Sequence, residues 1–133
     1  MKTIHIAEMM AQGGRDGRVE APEGGFAVDL STSEEPGSVT PEHLFAGAYA
    51  ACYLGALKSA LEKAHLKDEG VTLLARAHLD EDDRGGYRLN VDLRATLPGL
   101  NERDAAHVMN LAHQSCPYSK ATRGNINVNL SFD

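Results

Sequence analysis

Between Leu44 and Leu57 the sequence runs Leu-Phe-Ala-Gly-Ala-Tyr-Ala-Ala-Cys-Tyr-Leu-Gly-Ala-Leu, apolar or small on every side of a helix. A surface helix needs only one apolar stripe, so a helix without a polar face has to be covered all round. Gly47, Ala48, Ala50, Ala51, Gly55 and Ala56 add no bulk, which lets another backbone or a ligand come close. The start is marked by Thr40, a good N-cap, and by Pro41, suited to the first helical position where its missing N–H costs nothing. The pattern extends to about Leu66 and turns amphipathic at Lys58, Glu62, Lys63 and Lys67. The fully apolar stretch is about a third short of the roughly 20 residues a membrane span requires, so no membrane role is expected.

The remaining elements fall around this helix. Ile4/Ile6 and Phe26/Val28/Leu30 are short alternating pieces, separated by Gly13-Gly14-Arg15-Asp16-Gly17 and Pro22-Glu23-Gly24-Gly25, and read as a β-meander. Residues 31 to 38 read as an exposed loop. Val71, Leu73, Ala75, Ala77 and Leu79, then Tyr87, Leu89, Val91, Leu93, Ala95 and Leu97, alternate on either side of Asp-Asp-Arg-Gly-Gly, the pattern of an antiparallel hairpin with one wet face. Asn101 caps a second helix with Ala105, Met109, Ala112 and Cys116 on one stripe, and Cys116-Pro117 ends it. Ile126, Val128, Leu130 and Phe132 form a last strand. The expectation is one α+β domain over residues 1–133, with helices laid on a one-faced antiparallel sheet. One short amphipathic helix leaves the long helix undercovered, which predicts a homodimer.

The chain has 133 residues, 42% hydrophobic and 24% charged, the size and balance of one folded domain. Nineteen Asp and Glu against 13 Lys and Arg give a net charge of −6 with no basic cluster, which argues against nucleic acid as a partner. The first residues carry no apolar signal core, so the expected compartment is the cytoplasm. Two cysteines are not a structural staple by default in that reducing setting.

Cys52 and Cys116 are therefore either buried thiols or chemistry. Taken alone, Cys52 in the apolar helix is more often a small buried hydrophobe. Each cysteine lies on the inward face of its own helix, so the two can meet if those helices pack, although spacing alone does not decide it. A working thiol needs a nearby cation, since only a few per cent is thiolate at neutral pH. Arg15, set between glycines, is the candidate, and its simpler reading is a hairpin tip in water. A guanidinium about 4 Å from sulfur at an effective dielectric near 20 would contribute roughly 4 kcal/mol, lowering a thiol pKa by about two or three units. Glu42 suits the positive end of the first helix in its own right. Ten residues along one helix put it about 15 Å from Cys52, so any role there is indirect, through a bidentate pair with Arg15 or at the thiol of a partner subunit. His107, His113 and Cys116 lie close in sequence but lack metal-ligand spacing, so no metal is expected and the histidines read as solvated.

Three segments carry a further signal: Gly-Gly-Arg-Asp-Gly at 13 to 17, Thr-Pro-Glu-His-Leu-Phe-Ala-Gly-Ala-Tyr-Ala-Ala-Cys-Tyr at 40 to 53, and Ser-Cys-Pro-Tyr-Ser-Lys-Ala-Thr-Arg-Gly-Asn-Ile at 115 to 126. Together, over essentially the whole chain, they resemble the organic hydroperoxide resistance branch of the OsmC/Ohr family. The resemblance implies an OsmC-like fold, an intertwined homodimer of long central helices wrapped by sheets. It implies thiol peroxidase activity on organic hydroperoxides, including fatty-acid hydroperoxides, without cofactor or metal, and reduction by dihydrolipoyl groups on lipoylated proteins. Matched by motif, Cys52 is the attacking thiolate, Cys116 the resolving thiol, Arg15 the activating cation and Glu42 the residue that positions Arg15. Phe45, Tyr53 and Met109 are expected to wall an apolar substrate pocket. Thr40, His43, Tyr53 and Lys120 depart from the family pattern, and the 31–40 loop is shorter, which bears on substrate shape. Two other readings would use the same residues: a hydrophobic-ligand binding dimer, and a redox-sensing dimer without turnover.

Overall fold

The computed structural model describes residues 1–133 and divides into two compact units, Met1–Leu44 and Phe45–Asp133. In the first, strands β1 (Met10–Gln12), β2 (Arg18–Glu20) and β3 (Ala27–Asp29) form an antiparallel meander in the order β1-β2-β3. Ile4 and Ile6 form no strand. They pair with no other segment and stand 90% and 75% exposed, so the alternation there finds no backbone partner within the chain. The link from β1 to β2 is a single 3₁₀ turn, Gly14–Asp16, closed by the Gly17 amide donating to the Gly14 carbonyl at 3.0 Å. Glycine is compulsory at 17, where a Cβ would stand 1.7 Å from the Gln12 carbonyl oxygen. The turn pivots at Gly13, whose φ of 76° is the left-handed region glycine tolerates.

Helix α1 (Pro41–Lys63) opens in the first unit and continues into the second. Its start follows the expected cap, with the His43 amide donating to Thr40 Oγ1 at 3.3 Å. It stops at Lys63 rather than Leu66 because His65 turns left-handed at φ 57°. The Leu66 amide then bonds the Leu61 carbonyl and the His65 amide the Glu62 carbonyl, the paired bonds of a Schellman stop. At 23 residues the helix is long and apolar enough to cross a membrane by length and composition, a point the shorter apolar run understated. Tyr49, Tyr53, Leu57, Ala60 and Leu61 are nevertheless buried in the protein core. Within one chain the helix is covered along that face only; Gly47, Ala51 and Gly55 are exposed.

The second unit adds β4 (Thr72–Glu81) and β5 (Tyr87–Thr96), the expected antiparallel hairpin, then α2 (Glu102–Ser115), α3 (Pro117–Thr122) and β6 (Val128–Phe132). The sheet order is β4-β5-β6, and β6 runs parallel to β5, so the sheet is mixed rather than wholly antiparallel. A parallel neighbour needs a long crossover, and the two helices between β5 and β6 supply it. Across the sheet Ala77, Val91 and Val128 line up, as do Ala75, Leu93 and Leu130, and Leu73, Ala95 and Phe132. Apart from Ala77, these rows join Tyr49, Tyr53, Leu57, Leu61, Val108 and Met109 in one core. Each fully buried Leu, Val or Met side chain contributes about 1.5–3 kcal/mol relative to exposure. The hairpin tip escapes the core: Leu79 and Tyr87 are exposed despite their alternation.

Candidate functional site: a thiol pair and an arginine–glutamate pair

Cys52 lies in the fourth turn of α1, and Cys116 caps both neighbouring helices, closing α2 and opening α3. Cys116 is extended, at φ −63° and ψ 123°, as a residue before proline prefers. Its amide still bonds the Ala112 carbonyl at 2.8 Å, so α2 is completed before the chain turns. Pro117 then occupies the first position of α3, so the expected stop is also the start of a further helix. This corner brings the two thiols together. Cys116 Sγ stands 3.5 Å from Cys52 Sγ; both are free thiols, the first buried and the second partly exposed.

Two influences oppose each other at Cys52. Burial, the larger, pushes its thiol above the ordinary value, and the backbone amide of Tyr118 holds it down by hydrogen bonding to the sulfur. The Cys116 thiol adds to the upward push. A thiolate at this position therefore has one donor in α3 and requires further positive charge to form readily at neutral pH.

Within the first unit, Arg15 on the 3₁₀ turn donates through Nη2 to Glu42 Oε1 at 2.5 Å. The pair forms inside one chain and through a single oxygen, rather than as the bidentate fork considered from sequence. Glu42 Oε2 is buried and has no hydrogen-bond partner. The Glu42 carboxylate raises the Arg15 pKa further, so its charge is constant at any physiological pH. The turn itself is anchored next door: Asp16 accepts from the Thr32 amide at 2.7 Å and from its hydroxyl at 2.9 Å. Those bonds hold the Asp16 carboxyl below its usual range.

Of the expected pocket residues, Phe45 is half-buried and meets Tyr49 edge-on, with ring centroids 6.1 Å apart. Tyr53 and Met109 lie inside the core at 0% and 2% exposure. The Tyr53 hydroxyl donates to the Met109 carbonyl at 2.7 Å. His107 is exposed as expected, whereas His113 is half-buried, with Nδ1 2.8 Å from Ser119 Oγ. Tyr118, Ser119 and Thr122, all on α3, carry no role in the sequence expectations. Their available signal was Pro117, which begins helices as readily as it ends them.

The OsmC-like protein family model matches residues 33–131. The chain belongs to the OsmC-like family. Among its relatives, organic hydroperoxide resistance protein-like 2 of Staphylococcus epidermidis is 40% identical, covering 96% of this chain and 94% of that protein. The organic hydroperoxide resistance protein of Xanthomonas axonopodis pv. citri is 37% identical, over 98% and 96%. Among solved structures, the organic hydroperoxide resistance protein of Elizabethkingia anophelis superposes with a TM-score of 0.91 at 35% identity, covering 100% of this chain and 99% of that one. A Vibrio cholerae relative, described as a putative organic hydroperoxide resistance protein with captopril bound in one of its active sites, gives 0.90 at 32% identity, over 99% and 94%. These OsmC-like relatives share the α+β fold described above.

Proposed function

We propose that the protein serves in organic peroxide resistance as a thiol peroxidase, reducing organic hydroperoxides to alcohols. The observation that carries this is the pair of free thiols at 3.5 Å, one buried and one partly exposed. The names of the relatives, which speak of organic hydroperoxide resistance, support organic hydroperoxides as the substrate class.

The Cys52 thiolate attacks the terminal peroxide oxygen. The O–O bond breaks, the alkoxide leaves and takes a proton to become the alcohol, and sulfur is oxidised by two electrons to the sulfenic acid. Cys116 then attacks that sulfur, an S–S bond forms and water departs. An external dithiol, for which we propose a dihydrolipoyl group on a lipoylated protein, returns two electrons by thiol–disulfide exchange. No metal or cofactor enters these steps. Arg15 supplies the cation that offsets the cost of burying the thiolate, and Glu42 positions it. Phe45, half-buried against Tyr49, supplies the apolar surface that favours a hydrocarbon tail, fatty-acid hydroperoxides included, while Tyr53 and Met109 lie in the core rather than on a pocket wall. Glycine and alanine exposed along α1 support a homodimer, and the Vibrio cholerae relative has more than one active site. A reaction that needs both cysteines returned to thiols after each turnover fits a reducing, cytoplasmic setting.

The test is one equivalent of a long-chain organic hydroperoxide added to reduced protein, with free thiols and intact mass followed in wild type and Cys116→Ser. The expected outcome is loss of both thiols to an internal disulfide in wild type, a trapped Cys52 oxidation product in the variant, and a slower reaction with hydrogen peroxide. Thiols that survive the organic hydroperoxide would leave Cys52 and Cys116 as core residues and favour a hydrophobic-ligand binding protein instead.

A further inference from the structure

Behind the thiol pair lies a closed polar cluster in an otherwise apolar core. Ser119 on α3 is 0% exposed, and its Oγ stands 2.8 Å from Tyr49 Oη on α1 and 2.8 Å from His113 Nδ1 on α2. Tyr49 Oη also reaches Thr122 Oγ1 at 3.1 Å, and Thr122 Oγ1 donates back to the Ser119 carbonyl at 3.2 Å. Arg123, just beyond α3, donates to the His113 carbonyl at 2.5 Å. The Tyr49, Ser119 and Thr122 hydroxyls are thus all satisfied, as buried hydroxyls must be to avoid a desolvation cost of about 1–3 kcal/mol each.

The location gives the cluster its consequence. Tyr49 precedes Cys52 by nearly one turn of α1, and Ser119 follows Cys116 and Tyr118 in α3. We propose that Ser119, through its bond to Tyr49, is a positioning residue that holds α3, and with it the Cys116 thiol at its start, against Cys52 Sγ. A helix of six residues has little stability of its own, so its orientation depends on such tertiary bonds. Without the Ser119 hydroxyl, α3 loses its direct link from Ser119 to α1 and α2, and the contact between the two sulfurs loosens. The inference deepens the peroxidase reading above, since it concerns the same thiols, but its test needs no peroxide.

The experiment takes wild type, Ser119→Ala and Tyr49→Phe as full-length reduced proteins. First, the rate of Cys52 alkylation by iodoacetamide is measured against pH in each, with Cys116→Ser as background. Second, the rate of disulfide closure by diamide is measured with both cysteines present. Diamide accepts the two electrons and two protons released as the S–S bond forms. A loosened α3 also weakens the Tyr118 amide contact at Cys52, which should move the Cys52 titration midpoint up by about one pH unit in both variants, the scale of a hydrogen bond to a charged group. Disulfide closure should slow by about tenfold in each, and the double variant should fall well short of the product of the two single effects, because both remove the Tyr49–Ser119 bond. Midpoints and closure rates unchanged from wild type, with only a lower melting temperature, would overturn the inference and leave the cluster a purely structural one. Tyr49→Phe removes a single oxygen and keeps the ring packing, so it decides the matter if Ser119→Ala folds poorly. Survival of the wild-type thiols under organic hydroperoxide would sink the peroxidase reading and leave these alkylation and diamide results standing.

Discussion

Glu42 gives one oxygen to Arg15 and keeps the other buried without a partner, so the pair is held by a single charge-assisted bond. A single charge-assisted bond is easier to disturb than a bidentate fork. Arg15 sits on a turn rather than in a strand, and half of its side chain is exposed. If it supplies the charge that stabilises the Cys52 thiolate, Arg15→Ala should slow oxidation by an organic hydroperoxide about a hundredfold or more at neutral pH, and shift the rate profile to higher pH. Arg15→Lys should fall between, since it keeps the charge and loses the planar fork. Glu42→Gln should cost about tenfold, by releasing Arg15 rather than by removing its charge. Stopped-flow measurement of thiol loss checks all three, and a wild-type rate in Arg15→Ala would remove Arg15 from the mechanism. Both residues were legible as candidates from the glycines around Arg15 and the position of Glu42 at a helix start. The single-oxygen contact was not, because a residue's neighbours across 27 positions are set by the tertiary fold.

At the scale of elements, helix starts were readable and stops less so. Thr40-Pro41 and Asn101 cap α1 and α2 as their side chains suggest, the latter accepting from the Asp104 amide at 2.8 Å. The end of α1 was placed late because its left-handed residue is a histidine, not the glycine that usually marks such a stop. His65→Gly should therefore raise stability by about 0.5–1 kcal/mol, read as a higher denaturant midpoint at constant slope. The alternation of β6 was visible while its parallel direction was not, since α3 was hidden behind Pro117. The α2–α3 corner also carries a pH dependence. Burial first, and the charge of Arg123 second, hold His113 below its ordinary value of 6.5. The unfolded chain protonates this imidazole before the folded one does, so its contribution to stability is complete above that value and declines as pH falls below it. Urea midpoints measured from pH 7.5 down to pH 5 should fall in wild type and fall less steeply in His113→Asn. Equal slopes would show that His113 does not couple to folding.

For the molecule as a whole, the sequence asked for more cover than one chain provides. Tyr49, Tyr53, Leu57 and Leu61 fill the core, yet Gly47, Ala51 and Gly55, spaced four apart on α1, remain exposed. Ile4, Ile6, Met9, Met10 and Phe26 in the first unit are exposed as well, Phe26 at 52%. A charge of −6 favours solubility without covering these groups. Small residues four apart let two helices approach closely, and a two-fold pairing would use the same stripe on both copies. A homodimer is then the expected state, sedimenting at twice the 14.3 kDa of one chain. Ala51→Glu tests the stripe at its centre. The position is exposed in the single chain and glutamate is a good helix former, so the monomer fold should tolerate the change while a helix-to-helix interface should not. Sedimentation equilibrium should then give 14.3 kDa for the variant, with the helical circular dichroism of the wild type retained. A wild-type chain that sediments as a monomer would refute the dimer. A variant that stays dimeric would show that the interface lies elsewhere than on α1.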